Sequence, residues 1–356
     1  MSTDLYTFPV NKAPESKIKY FDWDHLDFGK NFSDHMFIME YKDGEWGQGE
    51  IVPFANLTMH PAMSAIHYGQ SIFEGLKANR TVNNEVSVFR PEMNAKRFNQ
   101  SAERMCMPTI PEDLFVEAIR QLVALDADWV TDREGHSLYI RPFMYATDQL
   151  VGIRPSRTYK FLIITTPVGL YYSEPVNVKI EKSYTRAASG GVGGAKAAGN
   201  YAASMYPAVQ AQKEGYHQLV WTDAAEHKYI EESGTMNIVF QIGDKLITPD
   251  ESYDTILRGI TKRSVIEIAQ RWGVEVEERL VTVQEIVEAA RNRTLMDAFG
   301  AGTAATIAPI AMIGYENEKF MLPPVQERLL SKKIKKYLGD LKVGRIDDEF
   351  GWNLLV

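Results

Sequence analysis

The chain has 356 residues, 45% of them apolar and 24% charged, with a formal net charge of −8. That is enough chain for two ordinary domains and a large core, and the acidic balance leaves no basic footprint for nucleic acid. No apolar run approaches a membrane span, and the single cysteine, Cys106, excludes an internal disulfide.

Residues 1–20 are polar and mixed and read as an arm. Asp4 and Glu15 stand where a signal peptide would be apolar, so the expected location is cytoplasmic. Met36 to Tyr41, followed by Asp43-Gly44 and Trp46, predicts a hairpin with a two-residue turn. Val86 to Phe89 is a strand and Pro91 to Met105 a helix. Cys106, between Met105 and Met107, is expected to be a buried filler. Pro111 opens an amphipathic helix with Leu114, Phe115, Ala118, Ile119, Leu122 and Val123 at helical spacing. Tyr139-Ile140 and Phe161 to Ile164 read as buried strands.

A domain boundary is expected near Pro167. Residues 1–167 form a smaller N-terminal domain, 168–178 a linker and 179–356 a larger C-terminal domain. Helices are expected at about 201–215, 260–272, 283–291 and 324–338, and strands at 217–222, 236–241, 274–280 and 295–299. The lysines at 332, 333, 335 and 336 alternate with apolar residues and read as the wet face of the last helix. Strands and helices alternate without a clean repeat, which predicts two α+β domains.

The stretch from Gly190 to Tyr201 surrounds Lys196 with glycines and alanines. An accessible lysine among small residues suits Schiff-base chemistry, provided desolvation or a nearby cation frees its lone pair. A P-loop fits poorly: Ala195 separates Gly194 from Lys196, and Ala197 replaces the hydroxyl residue that would hold magnesium. Lys196 also stands where a dinucleotide fingerprint needs its third glycine.

A pyridoxal phosphate enzyme needs an acid for the pyridine nitrogen, a donor for the phenolic oxygen and anion sites for phosphate and substrate carboxylate. Glu231 and Glu232 precede a small-residue turn, and either is a candidate for the acid. Ile260 and Thr261 open an amphipathic helix, a ready phosphate site with Thr261 as cap. Phe299 to Thr306 is a second hydroxyl-bearing turn that could offer amides to an anion. Tyr201 lies five residues beyond Lys196. His67 to Gly75 mixes aromatics with glycines, suiting an apolar substrate pocket or ordinary core packing.

These motifs are similar to those of branched-chain amino acid aminotransferases of the fold-type IV pyridoxal phosphate group, in their eukaryotic-type subgroup. The resemblance runs from about Phe21 to the C-terminus. It is carried by His67-Tyr68-Gly69 with Phe73-Glu74-Gly75, Phe89-Arg90-Pro91, Tyr139 to Pro142, Gly193 to Tyr201, Glu232 to Asn237 and Phe299 to Ala304. It implies Lys196 as Schiff-base lysine and proton shuttle, Glu232 at the pyridine nitrogen and Tyr201 at the phenolic oxygen. Arg97, Ile260, Thr261 and Thr303 are implied at the phosphate. Thr303 and Ala304 are implied at the substrate carboxylate, with Phe73, Tyr139 and Tyr171 lining the pocket. Tyr68 is implied to reach a partner subunit's site in a homodimer, and Arg141 to accommodate the second carboxylate of glutamate. On this reading the glycines about Lys196 leave room for the cofactor ring and for lysine movement.

The implied reaction moves the amino group of L-leucine, L-isoleucine or L-valine to 2-oxoglutarate. The partners are small amino acids and 2-oxo acids; no metal, nucleic acid or membrane is expected. A D-amino acid aminotransferase, an aminodeoxychorismate lyase and a P-loop-like nucleotide-binding protein are the alternatives. One departure is visible. Ala305 and Ala308 stand where some eukaryotic-type members carry a Cys-x-x-Cys pair, so thiol redox control is impossible there.

Overall fold

The computed structural model describes residues 6–169, 172 and 174–356. The chain divides into two compact units. One comprises residues 1–171, 196–198 and 340–356, the other 172–195 and 199–339. The lysine segment 196–198 and the C-terminal tail therefore group with the first unit, whereas the sequence placed both with the second.

The first unit is built on a nine-stranded sheet. Its strands are β1 (His35–Lys42), β2 (Glu45–Trp46), β3 (Glu50–Pro53), β4 (Ser71–Phe73), β5 (Leu76–Arg80), β6 (Val86–Phe89), β7 (Ser137–Ala146), β8 (Tyr159–Val168) and the C-terminal Asn353–Leu355. The order is Asn353–Leu355, β6, β5, β7, β8, β1, β2, with β3 on β1 and β4 on β7. The hairpin at Asp43-Gly44 forms as expected, with both residues at positive φ, 56° and 91°. Helix α1 (Ser64–Tyr68) is short. Helices α2 (Pro91–Arg104) and α3 (Glu112–Leu125) carry their apolar faces to the core. There Phe98 of α2, Phe115 of α3 and Phe161 of β8 meet with ring centroids 5.3–5.8 Å apart. Each such side chain contributes about 1.5–3 kcal/mol through burial.

The arm, from residue 6 on, is docked. Phe8 is buried, Asn11 N–H donates to Ile51 C=O at 2.8 Å, and Ala13 N–H donates to His35 Nε2 at 2.8 Å. Cys106 is exposed, not buried. It follows the end of α2 at φ 53°, so the left-handed turn that stops the helix directs it outward while Met107 takes the buried place.

The Phe89-Arg90-Pro91 motif has a structural reason. Arg90 caps α2 in the left-handed region, at φ 51°, a conformation that costs a non-glycine residue about 1–2 kcal/mol. It is held by Trp352: Arg90 N–H donates to Trp352 C=O at 2.7 Å, and the guanidinium stacks 4.4 Å from the indole centroid.

The second unit contains β9 (Val176–Ile180), β10 (Gln218–Thr222), β11 (Ile230–Ser233), β12 (Met236–Ile242), β13 (Lys245–Pro249), β14 (Val276–Arg279), β15 (Leu295–Gly302), β16 (Thr306–Tyr315) and β17 (Glu318–Met321). The pairing runs β11-β10-β9-β16-β15-β12, and β11 also pairs with β12. Six strands thus close into a ring, which removes their free edges. Helices α4 (Ala198–Lys213), α5 (Ile260–Arg271), α6 (Val283–Arg291) and α7 (Leu329–Lys342) complete it, the last three residues of α7 grouping with the first unit. Ile334 of α7 is fully buried and its flanking lysines are exposed, as the alternation predicted. Asp297 and Arg328 form a buried ion pair at 3.0 Å. No helix among the described residues is long and apolar enough to cross a membrane.

Candidate active site

In the first unit, strand pairing fixes Lys196. Phe73 N–H at the end of β4 donates to Lys196 C=O at 3.1 Å, and Ile72 bridges Ala197. Lys196 N–H donates to the Ser101 hydroxyl of α2 at 2.9 Å. The backbone is thereby pinned, and Nζ lies 4.8 Å from the Phe73 ring centroid, within cation–π range.

Arg141 stands over the other side-chain groups of this region. Its guanidinium is 4.5 Å from the Phe73 centroid and 5.2 Å from that of Tyr139, and Nη2 donates to the Tyr139 hydroxyl at 2.9 Å. Its Nε is buried without a hydrogen-bond partner, a placement that costs free energy unless an acceptor arrives. Gly75 is required beneath Tyr139, because a Cβ there would come within 2.0 Å of the phenol oxygen. Phe28 meets Tyr139 edge-on at 5.2 Å. Arg97 is buried and bidentate to Glu74, through Nε at 2.7 Å and Nη2 at 2.8 Å. Tyr68 ends α1 and is 40% exposed. Tyr171 lies outside the described residues.

The second unit carries both candidate acids. Both Glu231 and Glu232 are buried, at 5% and 4% exposure, and as neighbours on β11 they point to opposite faces. Glu232 is held in place: Oε1 accepts Leu257 N–H at 2.7 Å, and Oε2 lies 3.3 Å from Arg186 Nε. Arg186 also donates to Thr255 C=O. Asn237, opposite Glu232 across the β11–β12 pair, donates to Leu257 C=O at 2.9 Å.

Segment 254–259 therefore ties three parts together. It holds the Glu232 carboxylate, takes Gly194 N–H on Asp254 C=O at 2.7 Å, and runs into α5 at Ile260. The glycines of the lysine motif have their reason here. A Cβ on Gly193 would meet Ala187 at 2.4 Å and Thr255 O at 2.8 Å, and one on Gly191 would meet Ala188 O at 2.8 Å. Close packing demands Gly191 and Gly193, whereas a Cβ on Gly190 or Gly199 would meet nothing within 4 Å. Gly259 is needed likewise, since its Cβ would meet Asn237 Oδ1 at 1.7 Å.

The cap of α5 is Gly259, with no side-chain cap bond. Thr261 sits inside the first turn and is buried, so it does not cap the helix as expected. An uncapped terminus of a 12-residue helix presents N–H groups to an anion. Thr303 and Ala304 form the turn between β15 and β16, and Gly300 and Gly302 pack on Met236, where a Cβ would approach 2.6 and 2.9 Å. Tyr201 lies in the first turn of α4.

Burial pushes the Glu231 carboxyl up to about 7, against a hydrogen bond from Thr255 and the charge of Arg186. Its Oε2 has no hydrogen-bond partner. Between about pH 4.5 and 7 the folded chain holds a proton there that the unfolded chain releases. Stability is therefore lost as pH rises through that window, by up to about 3 kcal/mol. Glu231→Gln should raise the melting temperature relative to the parent by several degrees more at pH 8 than at pH 5; a pH-independent difference would contradict this account.

Sequence reasoning missed Glu74, Arg186, Phe28 and Ser101. Glu74 lies inside a quoted motif, and Arg186 directly precedes the small-residue run. Both are charged residues in otherwise apolar or small surroundings, which was the available signal.

The family model for amino-transferase class IV matches residues 71–313, and this chain belongs to that family. It is similar to branched-chain-amino-acid aminotransferase 2 of Bacillus subtilis (strain 168), 44% identical over 335 residues that cover 93% of this chain and 92% of the relative. Among solved structures it resembles the Escherichia coli branched-chain amino acid aminotransferase, with a TM-score of 0.73 at 26% identity over 90% of this chain and 98% of that one. The PLP-form of the Thermobaculum terrenum enzyme aligns with a TM-score of 0.71 at 25% identity, over 90% and 97% of the two chains.

Proposed function

We propose that the chain is a branched-chain amino acid transaminase that moves the amino group of L-leucine, L-isoleucine or L-valine to 2-oxoglutarate with pyridoxal phosphate. The observation that carries this is the 44% identity with the Bacillus subtilis aminotransferase over 93% of the chain. The donor set supports the cofactor: a lysine amine, a buried carboxylate held by Arg186 and Leu257, and an uncapped helix terminus.

Pyridoxal phosphate, when bound, supplies an electron-withdrawing ring that stabilises negative charge at the substrate Cα. Lys196 would hold it covalently and, when freed, would carry the proton from the substrate Cα to the cofactor carbon. Glu232 offers its carboxylate to the ring nitrogen and Tyr201 its hydroxyl to the phenolic oxygen. Arg97, Ile260, Thr261 and Thr303 serve the phosphate. Thr303 and Ala304 receive the substrate α-carboxylate, while Phe73 and Tyr139 line the side-chain site. Arg141, with its unpartnered Nε, takes the second carboxylate of glutamate. An apolar pocket distinguishes one methylene by only about 1–3 kcal/mol, so all three branched substrates are accepted.

The same reading makes the working unit a homodimer, with exposed Tyr68 turned to the partner, and places it in the cytoplasm, where exposed Cys106 stays reduced. The test is an absorbance spectrum taken before and after L-leucine, then 2-oxoglutarate. Visible absorbance should bleach and return. Bleaching by D-alanine and not by L-leucine would overturn the reading.

A further inference from the structure

Glu74 is fully buried, at 0% exposure, and has no role in the account above. Its carboxylate accepts from Arg97 Nε at 2.7 Å, Arg97 Nη2 at 2.8 Å, Asn94 Nδ2 at 2.7 Å and Gly75 N–H at 3.1 Å. Asn94 and Arg97 are three apart on α2 and so share a face. Removing a carboxylate from water costs several kcal/mol, recovered only with good geometry and further hydrogen bonds. Here the fork of Arg97 supplies the geometry, and such bidentate pairs fix orientation as well as charge.

The position of Glu74 relates it to the lysine. It directly follows β4, whose last residue, Phe73, is hydrogen-bonded to Lys196 C=O and carries the lysine Nζ 4.8 Å from its ring. Arg141 lies over the same ring at 4.5 Å, beside the Tyr139 hydroxyl. Arg97 thus binds the Glu74 carboxylate itself, while Lys196 and Arg141 lie against the ring of the preceding residue. Burial would raise its pKa, but Arg97, Lys196 and Asn94 outweigh burial and hold it below the usual carboxylate value. Glu74 is ionised, and the Lys196 charge contributes to keeping it so.

We propose that Glu74 is a positioning residue of the transamination: its carboxylate pins the Arg97 guanidinium and favours positive charge on the Lys196 nitrogen. This rests on the function proposed above. Two variants separate its halves. Glu74→Gln keeps the shape and removes the charge. In the cofactor-loaded protein, the pH midpoint of the visible absorbance should fall by about one unit, because a protonated nitrogen loses a neighbouring anion. An unmoved midpoint would overturn the electrostatic half. Glu74→Asp keeps the charge and shortens the reach, so the fork to Arg97 is lost. The midpoint should stay near the parent value while pyridoxal phosphate affinity, read by tryptophan quenching in the apoenzyme, falls about tenfold or more. Parent-like affinity would overturn the pinning half. Should Glu74→Gln not fold, Glu74→Asp still decides: a midpoint displaced by as much as a unit, with the charge retained, would also overturn the proposal. The parent protein is the control. If it shows no bleaching with L-leucine, the functional reading has failed, not this one.

Discussion

Alanine at position 196 should lower steady-state turnover of L-leucine with 2-oxoglutarate by at least about 10⁴-fold. A positioned proton-transfer group is by itself worth about 10²–10⁴, and Lys196 is asked to serve as covalent anchor as well. The substitution is clean. The contacts that fix this residue in the first unit are made by its backbone, through Phe73 N–H and the Ser101 hydroxyl, and alanine keeps both. The side chain gives up its approach to the Phe73 ring and its attraction to Glu74. The variant should fold, melt within a few degrees of the parent and bind pyridoxal phosphate without the covalent link. Its spectrum should then lack the lysine-dependent visible band. Turnover within tenfold of the parent would remove Lys196 from the chemistry.

Glu232→Gln is expected to retain cofactor and to slow the L-leucine half-reaction by about 10- to 10³-fold. An opposite charge close to an ionised group is worth about 1–3 pKa units, each a factor of ten. Glutamine keeps an acceptor for Leu257 N–H but removes the anion facing Arg186. A buried cation without a counter-charge would ordinarily destabilise the fold by about 3–5 kcal/mol. Glu231 limits that loss. It already feels both Arg186 and Glu232, and without the like charge beside it, it ionises more readily. Relative to the parent, the variant should therefore lose more stability at pH 5, where Glu231 is protonated, than at pH 8. Single-turnover absorbance gives the rate and thermal melts at the two pH values give the stability. A half-reaction at half the parental rate or faster would rule out Glu232 as the ring-nitrogen partner.

Much of the fold was legible because it is local. Composition located α2, helical spacing located α3 and α5, and the Asp43-Gly44 turn located the first hairpin. Pairing between distant strands left no such trace. The parallel contact of β9 with β16 and the closure of β11 on β12 depend on which edges meet, and alternation within a strand is silent about that. At the site, residue type revealed the lysine and narrowed the acid to two neighbours, and family resemblance favoured Glu232. How Glu232 is held is three-dimensional: Leu257 and Arg186 reach that side chain from other parts of the chain. The glycines were visible as a cluster, but the packing that requires Gly191 and Gly193 was not. Only coordinates bring Thr255 and Ala187 against Gly193. Thr261 and Cys106 were misplaced for a simpler reason: a helix boundary shifted by a residue or two changes what caps it and what its terminal turn exposes.

The segment 254–259 has a bearing on how this enzyme tolerates change. One short loop sets the Glu232 carboxylate through Leu257, receives the lysine motif on Asp254 and delivers the start of α5. These three duties are mechanically coupled. A one-residue insertion there would displace the acid, the glycine stretch and the helix terminus together, so its effect would be synergistic and hard to rescue by a second mutation. Phe28, Phe73 and Tyr139 form a cluster of their own in the first unit. Libraries that test the proposed pocket roles of Phe73 and Tyr139 should hold 254–259 constant.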